Sequence, residues 1–72
     1  MNLALSPDRL RFELARRGLS QSQFAVLAGI SEPTVSHGMT GKAISEATLA
    51  KMARTLAAIP PLPGVDALLA AR

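Results

Sequence analysis

Leu10, Leu14 and Ala15 recur at helical spacing, while Arg9, Arg11, Glu13 and Arg16 fall largely outside that stripe. Phe24, Ala25, Leu27 and Ala28 form a second apolar group, and Val35 and Met39 a third. Leu49, Met52, Ala53 and Leu56 make a fourth; Val65, Leu68 and Leu69 make a short last one. No stretch alternates with period two, so the pattern predicts helices only. The residues between the groups agree. Ser6-Pro7-Asp8 opens the first helix, where serine caps an orphan N–H, proline has a fitting φ and aspartate faces the positive end. Arg16 and Arg17 suit its negative end, and Gly18 stops it. Ser20 caps a second helix over residues 21–28, which Gly29 ends. Ile30 then drops into the core, and Ser31 caps a third helix with Pro33 in its first turn. Gly41-Lys42 breaks the chain, and Ser45 with Glu46 opens the fourth. Pro60, Pro61 and Pro63 stiffen a linker over residues 60–64, ahead of a fifth helix over 65–71. The expected fold is all-α: one domain over residues 1–72, a compact five-helix bundle with its core in 6–59.

Length and composition narrow the chemistry. A chain of 72 residues holds one small core; a domain near this size buries only about 60% of its unfolded surface. Without cysteine, neither a disulfide nor a thiolate zinc site can supplement that core. Eight Arg and Lys against five acids leave a net charge of +3, which favours a polyanionic partner without requiring one. Met1 to Leu10 lacks the basic start and apolar run of a signal peptide. The late apolar run is cut by Pro60, Pro61, Pro63, Gly64 and Asp66, too soon to span a bilayer. A cytoplasmic protein that avoids membranes is expected. One histidine, no phosphate-cradling glycine loop and no pair of acids in a plausible cleft argue against an enzyme. No metal, cofactor or small-molecule ligand is expected.

The segment Leu27 to Gly41, LAGISEPTVSHGMTG, carries the functional signal. Two helices joined by a tight glycine turn, the second presenting polar side chains, form a helix-turn-helix. Such a unit needs a small residue where the helices cross, a positive φ in the turn, and apolar anchors on one side of the second helix. Ala25, Gly29, and Ile30 with Val35 supply these. The other side of the second helix, helix three, stays free for a major groove that admits one helix.

On these residues the sequence resembles the Cro and repressor-type helix-turn-helix family of phage and bacterial regulators. Gly18-Leu19-Ser20-Gln21, Phe24-Ala25, Gly29-Ile30-Ser31, Thr34-Val35-Ser36 and Gly41 follow the family pattern in order without a gap. The likeness continues through Leu49, Met52, Ala53 and Leu56, covering about Leu10 to Ala57, and fades at the proline-rich tail. It implies a lambda-repressor-like bundle. There are two departures. Leu14 and Met39 stand where the family often pairs an arginine with a glutamate, so an apolar contact replaces an ion pair. Gly38 stands where the family usually has a buried apolar residue. Glycine inside a helix costs about 0.5–1 kcal/mol relative to alanine, which predicts that helix three loosens or bends after His37.

By the resemblance, Glu32, Pro33, Ser36 and His37 read base edges. Glutamate accepts from cytosine N4, serine donates or accepts, and proline presses on a thymine methyl. His37 offers a nitrogen to guanine or phosphate. The plainer readings are a solvated His37 and a Glu32 that simply suits a helix N-terminus. Ser20, Gln21 and Gln23 meet phosphates at the start of helix two, with Thr34, Thr40 and Lys42 clamping from the other side. Arg11, Arg16 and Arg17 add to the long-range field and are possible backbone contacts; for each, a plain surface role is the alternative.

The expected partner is double-stranded DNA, bound by a repressor or Cro-like regulator. A homodimer on a palindromic operator fits the family, with half-sites about 34 Å apart. Val65, Leu68 and Leu69 would either pack on the chain's own core or form the dimer seam. The rival reading is a protein-interaction module, such as an antitoxin or a polymerase-recruiting regulator. A polar, only weakly acidic face on helix three favours DNA.

Overall fold

Serine caps the start of every described helix. The computed structural model describes residues 2–65 of the chain, and within them lie four helices: α1 (Pro7–Ala15), α2 (Gln21–Ala28), α3 (Glu32–Met39) and α4 (Glu46–Ala58). The hydroxyls of Ser6, Ser20, Ser31 and Ser45 accept the backbone N–H three residues on, at 3.3, 3.1, 3.3 and 3.1 Å respectively. Each bond satisfies one of the donors that a helix start leaves without an internal partner. Ser20 does this reciprocally, since the Gln23 side-chain oxygen accepts the Ser20 N–H at 2.9 Å.

The all-helical expectation needs correcting. β1 (Asn2–Ala4) pairs antiparallel with β2 (Ala43–Ser45), with Leu3 opposite Ile44. Three residues are too few to display an alternation, and the pairing joins segments about forty positions apart, so no local pattern encodes it. The ribbon packs against α4, and its second strand also against α3, with the Ile44 side chain buried. The fifth helix expected over 65–71 lies outside the described residues, apart from Val65.

Leu10, Leu14, Phe24, Ala25, Ala28, Val35, Met39, Ile44 and Met52 form one continuous core. Leu14 and Met39, at the two places where the family often pairs an arginine with a glutamate, are both buried in it. Removing a charged pair from an interior avoids its desolvation cost. Leu27, expected inside, is 55% exposed. Phe24, Ala25 and Ala28 already define the inward stripe of α2, and Leu27 falls to its flank. Ala15 and Ala53 are likewise exposed. Met52 is then the buried residue of α4, with Leu49 and Leu56 partly covered.

Gly38 also departs from expectation. The helix does not loosen after His37: Thr40 N–H reaches Ser36 O at 3.0 Å, and α3 runs to Met39. The reason is proximity. A Cβ on Gly38 would lie 3.2 Å from Leu5 Cδ1 and 3.3 Å from Leu10 Cδ2, so close packing compensates the glycine's lower propensity.

Candidate nucleic-acid interface

The α2–α3 unit is set by its turn. Gly29 takes φ 71°, a left-handed conformation that costs glycine little. Ile30 N–H then reaches back to Ala25 O at 3.0 Å, which ends α2 and redirects the chain within two residues. Ala25 is buried in the core between neighbouring elements. Val35 is wholly buried and Met39 nearly so, with Ile30 packed against the same core, so α3 is held from one side. Eight residues make a helix about 12 Å long, anchored along its back.

Its other side faces solvent. Glu32, Pro33, Ser36 and His37 are all exposed; Thr34 is half-buried, its hydroxyl 2.7 Å from that of Ser31. At the start of α2, Ser20, Gln21 and Gln23 are exposed. Because the Gln23 oxygen is engaged by Ser20, its amide NH₂ is the end left for a ligand. At the far end of α3, Gly41 N–H bonds Gly38 O at 3.3 Å and Lys42 N–H bonds His37 O at 2.9 Å. This double closure satisfies the last carbonyls and projects Lys42 from a fixed turn. Thr40 is exposed, with its hydroxyl donating to His37 O at 3.1 Å.

The arginines separate. Arg11 is exposed, with Asp8 at 3.6 Å. Arg16 lies over the Phe12 ring at 5.3 Å and meets Glu13 at 3.3 Å. Arg17 is committed to the interior: its side chain is only 10% exposed. Its guanidinium donates to Ile59 O at 2.7 Å, Leu56 O at 3.2 Å, Glu13 O at 3.0 Å and the Glu13 carboxylate at 2.5 Å. It therefore ties the end of α1 to the end of α4. The bond from Arg17 holds the Glu13 carboxyl below its ordinary value, against the opposing effect of burial; the charges of Arg17 and Arg16 add to the lowering. Sequence spacing placed Glu13 on the outside, whereas it is the hub of this cluster.

One hydrogen bond in the interface has no signal in the sequence. The Ser22 hydroxyl donates to the Glu32 carboxylate, bridging the first turns of α2 and α3. The two residues are ten positions apart and become neighbours only when Gly29 folds the turn.

A short helix, a glycine turn and a second helix with a buried back and a polar front define a helix-turn-helix, a DNA-binding class. The model of the family described as "Helix-turn-helix domain" matches residues 8–68, and the chain belongs to that family. Comparison with curated proteins gives no match, and comparison with solved structures gives none. None of the described helices is long and apolar enough to cross a membrane.

Proposed function

We propose that this protein is a sequence-specific regulator of the repressor or Cro type that lays α3 in the major groove of double-stranded DNA. One observation carries the proposal: Glu32, Pro33, Ser36 and His37 are exposed together on a helix whose opposite side is buried at Val35 and Met39. In this arrangement those residues meet base edges. Ser20, Gln21 and Gln23 meet phosphates from the start of α2, while Thr34, Thr40 and Lys42 do so around α3. Arg11 and Arg16 contribute to the positive field, and Arg17 serves the fold. A homodimer on a palindromic operator fits this use of the motif, with one helix per half-site.

Base-reading and phosphate-binding residues respond differently to mutation. Ser36→Ala and His37→Ala are expected to change the preferred base, by roughly 1–3 kcal/mol for each good base interaction removed. Binding-site selection on random duplexes checks this; the same selected motif for both variants as for wild type would refute the assigned face. Lys42→Ala is expected to weaken all duplexes alike and reduce the slope of log affinity against log salt by about one unit. Titrations at two salt concentrations measure it, and an unchanged slope removes Lys42 from the phosphate set.

A second reading has one observation in its favour. Val26 is 80% exposed and Leu27 55%, adjacent on α2, and exposed apolar clusters often mark protein-binding surfaces. Under that reading the domain binds a protein, as an antitoxin or polymerase-recruiting regulator does. Substituting both residues by serine separates the two: DNA affinity is retained if the groove reading holds.

A further inference from the structure

We propose that Ser22 is a specificity-determining positioning residue, tethering Glu32 so that α2 and α3 together present an acceptor-only edge to a base amino group. This deepens the groove reading above and rests on it.

The argument starts from what the pair can and cannot offer. A serine hydroxyl has one hydrogen, and Ser22 gives it to a Glu32 carboxylate oxygen. What remains on Ser22 is lone pairs. The ionised carboxylate has no donor at all. Among the described residues Glu32 has no cationic partner: the ion pairs gather on Asp8 and Glu13. The Ser22 and Glu32 side chains thus offer acceptors and negative charge at an exposed position. A phosphate directly against the carboxylate would be repelled. In the major groove only cytosine N4 and adenine N6 donate, whereas guanine N7 and O6 and thymine O4 accept. The pair therefore selects an amino group and rejects guanine and thymine at that base.

Ser22 supplies the aim. An untethered glutamate on the surface turns about three side-chain bonds and spreads its carboxylate over many positions. Held by Ser22, one oxygen is fixed against α2, and the other keeps a defined direction. Both residues are exposed, where a single hydrogen bond adds little to folding. The bond's consequence is consequently read in base preference rather than in stability.

The test is binding-site selection on random duplexes with wild type, Ser22→Ala, Ser22→Thr and Glu32→Ala, with thermal melting of each in parallel. Wild type is expected to prefer one base pair at one position that loses its preference in Glu32→Ala. Ser22→Ala should weaken that preference about 2- to 10-fold, at that position alone, with melting unchanged. Ser22→Thr, which keeps a hydroxyl, should restore it. The proposal is overturned if Ser22→Ala returns the wild-type motif, or if Glu32→Ala leaves the preference at every base pair unchanged. Equal weakening on all duplexes also overturns it, by making Ser22 a phosphate-binding residue. Ser36- or His37-dependent selection that ignores Ser22 defeats this inference alone, whereas no selected motif in any protein, wild type included, defeats the groove reading with it.

Discussion

Arg17→Ala is expected to lower the unfolding free energy by about 3 kcal/mol, the lower part of the roughly 3–5 kcal/mol range for removing one partner of a buried ion pair. The lower part applies because Glu13 keeps 21% of its side-chain exposure and can recover some hydration. The loss has two sources. Leu56 O and Ile59 O lose a charged donor at the end of α4, and Glu13 loses its nearest counter-charge. Arg17→Lys should recover less than half, since one ammonium cannot reproduce a planar fork reaching four acceptors. The pH dependence follows from Glu13. Its folded carboxyl is held below the ordinary value, so its contribution is present above that ordinary value and is lost as pH falls through the lowered one. Wild type should therefore lose more stability than Arg17→Ala as pH falls from neutrality to below the ordinary carboxylate value. Urea unfolding at both ends of that window measures the difference. Equal acid sensitivity in the two proteins would mean the pair contributes nothing to folding.

The same residue shows what a sequence makes legible and what it does not. Helix starts were open to reading because the capping serine, the early proline or acid and the apolar spacing are all local. The glycine turn was legible for the same reason: a left-handed residue at Gly29 is a property of one position. Burial of Val35 and exposure of Ser36 and His37 follow from helical periodicity alone. Arg17 looked like a surface charge because α1 ends there, and nothing nearby reveals that the last turn of α4 comes to rest on its guanidinium. The ribbon and the Ser22–Glu32 bond were hidden for that reason too: each joins segments that only the folded chain brings together. Leu27 misled in the opposite way. Its apolar character suggested burial, but an eight-residue helix with Phe24, Ala25 and Ala28 inward has no room for a fourth inward side chain.

Gly38→Leu should cost about 3 kcal/mol, although it restores the kind of apolar residue that the family usually carries at this place. The first added carbon already lies 3.2 Å from Leu5 Cδ1, 3.3 Å from Leu10 Cδ2 and 3.6 Å from Met52 Cε. Those atoms are the ends of flexible side chains and can yield by tenths of an ångström. Gly38→Ala should accordingly change stability by less than about 1 kcal/mol, because the helix propensity gained offsets the crowding. Leucine adds three further carbons toward Leu10 and Met52, both almost fully buried, and no small side-chain rotation makes room for them. Relief requires α3 to move away from α1, carrying Ser36 and His37 out of the orientation that the turn at Gly29 fixes. Chemical unfolding of the two variants should therefore diverge, and Gly38→Leu should also lose affinity for the wild-type selected duplex where Gly38→Ala retains it. A leucine variant as stable as wild type would show that α3 does not need the close approach that Gly38 permits.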